Sequence, residues 1–308
     1  MKIVPKIFNK FLHFLRIKFI FREGNALGEL VYLTFLISYF YKENYRVIIL
    51  TKYPEIFFNN IKVYLNLDSK KMYFLKKIIF KILYKLEGAN IINFNPPNFN
   101  LQFDEHYLKN YTYDTHFLSA ISQKLGIFID YRNIKNEFFF SKMEEEELQN
   151  RLKLPERYAL IHSEAKKTAC LNKEWSSEKM QKVVNDYNNI SWVQIGVSSD
   201  FHLKGTIHKF DLTIREMAFL VYKCKFLVCL EGVFNHLGSC FEKKVFLILS
   251  GVLPFQASYY KNNVIISNTD KLSCYPCYQL NNCHIQGKPC TNGIFAEDVI
   301  KKIREVFA

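Results

Sequence analysis

The chain has 308 residues, 49 % of them hydrophobic and 23 % charged, which excludes a disordered or fibrous chain and suffices for one large domain or two ordinary ones. The formal net charge is +13, and residues 1–90, with 16 Lys or Arg against 6 Asp or Glu, carry +10 of it. That charge attracts nucleic acid, anionic lipid or polyanionic substrates. The sequence has no zinc-finger spacing and no aromatic-basic RNA-binding signature, so nucleic acid is the weaker choice. No apolar run is long enough to span a bilayer, the start lacks a small-residue cleavage site, and eight cysteines without an export signal point to a reducing cytoplasm. The 29 Phe and 19 Tyr are scattered and read as core filling rather than as a base-stacking platform.

In chain order, Ile3, Val4, Ile7, Phe8, Phe11, Leu12 and Leu15 form an apolar stripe with Lys2, Lys6, Lys10 and Arg16 off it. Such a basic amphipathic helix suits a membrane interface or packing on its own domain. Ile17–Phe21 reads as a strand, Arg22 to Glu29 as a glycine-bearing turn, Leu30–Tyr41 as an apolar helix and Tyr45–Leu50 as a second strand, together a βαβ unit. Residues 93–100, with Pro96-Pro97, form a loop, and the charged helix expected over 141–156 marks the boundary between halves.

The second half restarts with a strand at Tyr158–His162. A helix follows over Ser176–Tyr187, with Ser176 or Ser177 as cap, then a strand at Ser191–Ile195 ending at Gly196. The helix expected over Thr213–Tyr222 opens with Thr213 and Glu216 in capping-box spacing. The apolar run Phe226–Leu230 reads as a buried strand, Glu231 to His236 as a polar turn entering a short helix, and Val245–Leu249 as another strand. Strand–helix alternation in both halves predicts an α/β protein. The expectation is two doubly wound, Rossmann-like domains over 1–150 and 151–308, facing a central cleft, with the final helix returning to the N-terminal domain.

Four constellations carry polar chemistry. In the turn Gly24-Asn25-Ala-Leu-Gly28-Glu29, Glu29 stands at a helix start, placed to accept a proton from a substrate hydroxyl or merely to complement the helix dipole. After His162, a loop with Lys166, Lys167 and Lys173 either suits a diphosphate or is a solvated lysine loop. At Glu231-Gly232…Asn235-His236, the glycine permits close backbone approach, the carboxylate suits ribose or sugar hydroxyls, and His236 suits a phosphate. Finally, Cys274, Cys277, Cys283 and Cys290 put four thiols in 17 residues, a zinc-like density with finger-unlike spacing.

Taken together these pieces resemble glycosyltransferase family 9, the heptosyltransferase family of the GT-B fold, over nearly the whole chain. The matching segments are Leu27-Gly28-Glu29 with its apolar helix, His162 and Lys173-Glu-Trp175, Gly196 with the helix from Thr213, Glu231 to Leu237, and Cys274 to Cys290. The family's catalytic Asp is Glu29 here, and Val233 and Ser250-Gly251 depart from its usual pattern.

The resemblance implies an inverting, metal-independent glycosyltransferase with Glu29 as general base and Gly28 and Asn25 on the acceptor side. It places donor binding at His162, Lys173, Gly196, Thr213, Glu231, Gly232, Asn235 and His236. The donor would be a nucleotide-diphosphate sugar (ADP-heptose or a GDP-linked sugar) and the acceptor a lipopolysaccharide core, capsule or other surface glycan. No cofactor would be required, and the cysteines are either a structural zinc site or packing thiols. The location would be cytoplasmic and peripheral on the inner face of the cytoplasmic membrane. A nucleotide-sugar-binding protein without transferase activity and a nucleotide-sugar epimerase are the alternatives.

Overall fold

A computed structural model describes residues 10–22, 26–71, 90–93, 116–164, 170–279 and 281–307. Contacts divide the chain into two compact units. The first comprises residues 1–112, 117–130 and 136–141; the second comprises 113–116, 131–135 and 142–308.

The first unit holds a four-stranded parallel sheet of β1 (Ile17–Arg22), β2 (Arg46–Thr51), β3 (Val63–Asp68) and β4 (Ile91–Asn93), in the order β3-β2-β1-β4. Helix α1 (Leu27–Lys42) links β1 to β2 and starts three residues earlier than the apolar pattern suggests, so Glu29 lies in its first turn. Leu30, Leu33, Leu36 and Ile37 of α1 are fully buried. The segment 10–14 is helical, with Leu12 packed on Phe21, Leu50 and Ile91; the rest of the basic stripe lies outside the described residues. Phe11 and Leu15, expected on the same apolar stripe, are exposed. Helix α2 (Phe117–Lys124) completes this unit.

The second unit opens with α3 (Lys142–Leu152), shorter than the charged stretch and tied into this unit by a two-pronged ion pair from Glu144 to Arg215. A six-stranded parallel sheet follows: β5 (Tyr158–His162), β6 (Ser191–Gly196), β7 (Thr206–Phe210), β8 (Phe226–Leu230), β9 (Lys244–Ile248) and β10 (Asn263–Ile266). Its order is β10-β9-β8-β5-β6-β7. The helices are α4 (Ser177–Asp186), α5 (Ile214–Lys223), α6 (Val233–Cys240) and α7 (Ala296–Phe307).

Ser176 stands at the cap of α4 but makes no side-chain capping bond, whereas Thr213 and Glu216 form the expected capping box on α5. Helix α7 packs on α4, β9 and β10, burying Val299, Ile300 and Ile303 in the second unit's core. Each sheet reverses its winding once. The switch lies between β1 and β4 in the first unit and between β5 and β8 in the second, which is where open α/β sheets bind ligands at their carboxyl edge. Among the described residues no helix is long and apolar enough to cross a membrane.

Candidate functional site

The second unit's switch point is flanked by His162, the last residue of β5, and Glu231, the first residue after β8. Strand β8 is fully buried, so the chain can turn polar only at its exit. Glu231 is buried there. One carboxylate oxygen lies 3.6 Å from the Lys173 ammonium, and the other accepts from Ser250 Oγ at 2.7 Å and Ser250 N at 3.3 Å. Ser250 lies just past β9, the neighbour of β8, so the sheet itself delivers the hydroxyl to the carboxylate.

Gly232 leads into α6, which begins without a side-chain cap and presents backbone N–H groups at the positive end of the helix. The backbone of Gly232 is extended, and a methyl group added there would touch nothing within 4 Å. Neither conformation nor packing therefore demands this glycine; it leaves open space beside Glu231.

His236 is buried in α6 with its Nδ1 2.5 Å from the Tyr260 hydroxyl, and His116 packs edge-on against the same tyrosine. Burial, reinforced by the Lys173 charge, holds its pKa down at about 3, so the imidazole is neutral at physiological pH. His162 packs on Phe234 with ring centroids 4.6 Å apart, and burial lowers it to about 4. Its Nδ1 is buried and has no hydrogen-bond partner among the described residues.

In the first unit, Arg22 ends β1 and its Nη2 donates to Glu29 Oε2 in the first turn of α1. Burial pushes the Glu29 carboxyl up, and the Arg22 charge and hydrogen bond oppose that rise. A carboxylate paired with an adjacent guanidinium, yet raised in basicity by burial, is suited to accepting a proton.

No protein-family model matches the sequence, and no curated protein matches it. Solved structures do match. A family 9 glycosyl transferase from Veillonella parvula aligns over 94% of this chain and 96% of its own, at 12% identity and a TM-score of 0.65. The dodecameric iron-containing glycosyltransferase TibC from enterotoxigenic E. coli aligns over 95% and 77%, at 14% identity and 0.64. The E. coli ADP-heptose lps heptosyltransferase II aligns over 94% and 98%, at 10% identity and 0.59. The chain has the heptosyltransferase fold.

Within that fold the expected residues separate into three groups. Lys173, Glu231, Gly232 and His236 converge, and the Lys173 charge reaches His236. Others serve the scaffold. Asn235 is fully buried, donating to Ser258 O and accepting from Asn263 Nδ2. The hydroxyl of Thr213 is engaged in the α5 cap. Gly196 is required by Asp200, whose Oδ2 would lie 2.1 Å from an added Cβ while it accepts from Val197 N. Gly28 lies inside α1, and Asn25, Lys166 and Lys167 fall outside the described residues.

The third group is the cysteines. Cys274, Cys277, Cys283 and Cys290 are free thiols; burial, and then the other three, raise the pKa of Cys277. Among the described residues no three His, Cys, Asp or Glu form a set that would hold a metal ion. Their segment holds the loop of Lys173 through three bonds: Asn172 Nδ2 to Gln279 O at 2.7 Å, Leu171 N to Asn281 Oδ1 at 3.1 Å, and Lys288 Nζ to Leu171 O at 3.3 Å.

Ser250, Tyr260 and Arg22 were not among the residues expected from sequence. Arg22 did carry a signal, a charge directly after the apolar run Phe19–Phe21. Tyr260 lies 24 positions from His236 and carried none.

Proposed function

We propose that this protein is an inverting glycosyltransferase that moves a sugar from a nucleotide-diphosphate donor to a hydroxyl of a surface-glycan acceptor. The observation that carries the reading is the buried Lys173–Glu231–Ser250 cluster beside the uncapped start of α6, on the carboxyl edge of a sheet in the heptosyltransferase fold. Lys173 and the N–H groups of α6 stabilise the diphosphate as the bond from the anomeric carbon to the phosphate oxygen breaks and that oxygen leaves with the electron pair. Glu231 orients Lys173 and contacts the donor. Glu29 takes the proton from the acceptor hydroxyl as its oxygen attacks the anomeric carbon, and the configuration inverts.

A heptose linked to ADP is the donor of choice, because TibC is described bound to ADP-D-beta-D-heptose and E. coli heptosyltransferase WaaC to ADP. The reading routes no step through a metal. Adding EDTA should leave turnover unchanged, and its loss with recovery on one added metal would overturn that part.

An anionic membrane surface as the seat of the acceptor is supported by exposed apolar groups among basic ones. Phe14 is 82% exposed beside Arg16, whose carbonyl accepts from Arg46 N, and the Arg46 guanidinium lies over the ring of the exposed Tyr64. An epimerase is disfavoured: it needs a catalytic acid, and burial lowers His162 to about 4, so at neutral pH it is a neutral imidazole and not an imidazolium acid.

The test of the reaction is Glu29→Gln, which retains shape and removes the base. Turnover should fall by about 10²- to 10⁴-fold, with nucleotide-diphosphate affinity unchanged. Undiminished turnover would remove Glu29 from the chemistry.

A further inference from the structure

Arg22 ends β1 at the switch point of the first unit's sheet, and its side chain is 5% exposed. Glu29 engages only Nη2; among the described residues the buried Nε and Nη1 have no hydrogen-bond partner. Buried polar groups are almost always paired, and each left unmade costs about 1–3 kcal/mol, more when charged. The guanidinium touches the first turn of α1, a 16-residue helix that begins without a side-chain cap. The Glu29 carboxylate in that first turn accepts from Arg22, which ties the guanidinium to the helix's positive end. A second anionic group fits this arrangement, because it would pair the remaining guanidinium N–H groups and leave Glu29 with its own partner.

We propose that Arg22 and the start of α1 bind an oxyanion, a phosphate or a carboxylate, carried by the acceptor, which anchors the acceptor with its attacking hydroxyl at Glu29. The inference rests on the reading of Glu29 as the base. It assigns the anion to the acceptor because the donor's diphosphate has Lys173 and α6 in the other unit, and because residues 1–90, with 16 Lys or Arg against 6 Asp or Glu, suit an anionic acceptor.

The experiment is nuclear magnetic resonance of the arginine Nε–H groups in the full chain, titrated with inorganic phosphate and, separately, with acetate. The Arg22 signal is assigned by its loss in Arg22→Lys or by its Overhauser contact to Glu29. A saturable shift of that signal is expected with at least one probe. The tighter probe names the acceptor's group.

The shift should persist in Lys173→Ala, which separates this site from the donor phosphates, and isothermal titration calorimetry with the same probe should show Arg22→Lys binding at least about tenfold more weakly, as loss of a charge-assisted bond predicts. The proposal is overturned if neither anion moves the Arg22 Nε–H, or if Arg22→Lys binds as tightly. Either result leaves the Glu29→Gln test of transfer standing on its own.

Discussion

The two carboxylates at the heart of this account stand in opposite conditions. Glu231 in the second unit is closed in by protein: Lys173 faces one oxygen and Ser250 the other, while nearby His236 is fixed by Tyr260. In the first unit the Glu29 side chain has Arg22 as its one partner among the described residues, and there the buried Nε and Nη1 of Arg22 have no hydrogen-bond partner. The Glu231 side is held in place by its protein partners. The Glu29 side is complete only when something anionic joins it. The contrast matches a donor whose leaving group is always a diphosphate and an acceptor that must bring its own anchor.

The contrast can be broken most forcefully at Glu231. Glu231→Ala strands the largely buried Lys173 ammonium and should cost about 3 kcal/mol of stability in denaturant unfolding, whereas Glu29→Gln leaves Arg22 an acceptor and should cost less. Comparable losses at both positions would mean that the two carboxylates are equally structural.

A smaller effect lies in the pH profile. Glu29 must be ionised to accept a proton; burial raises its pKa and Arg22 lowers it, so removing Arg22 moves the acidic limb of the rate upward. Arg22→Gln should shift that limb upward, and an unmoved limb would show that another group titrates.

The smallest effect concerns the second unit's neutral histidines, His116, His162 and His236, all held below their ordinary value by burial. Below about pH 6.5 the unfolded chain takes up protons that the folded unit refuses. Stability should therefore decline, and the melting temperature fall, as pH drops from about 6.5 toward about 4. A melting temperature flat across that range would deny their burial.

Much of the scaffold was legible because strands β1, β2, β5, β6, β8 and β9 are short apolar runs closed by polar or glycine breakers. The α5 cap was legible because its two partners stand three residues apart. Strand β7 escaped notice as an edge strand carrying His208 and Lys209, too polar for its pattern to show, and β10 is only four residues long. The residues of the turn at Glu231 were visible, but their partners were not. Ser250 reaches Glu231 across 19 positions through strand pairing, and no local spacing encodes that. Gly196 and Asn235 looked like ligand contacts from sequence because a packing requirement and a ligand requirement write the same residue. Only the position of the Asp200 carboxylate and of the Ser258 carbonyl tells them apart.

The central claim is that the Lys173–Glu231 cluster receives a nucleoside diphosphate. The most direct measurement is the melting temperature of the full chain with ADP, GDP or UDP, repeated with Lys173→Ala. The account predicts that one nucleotide, ADP first among them, raises it by several degrees, and that Lys173→Ala loses most of that rise while Arg22→Gln keeps it. No stabilisation by any of the three, or a rise that survives intact in Lys173→Ala, would contradict it.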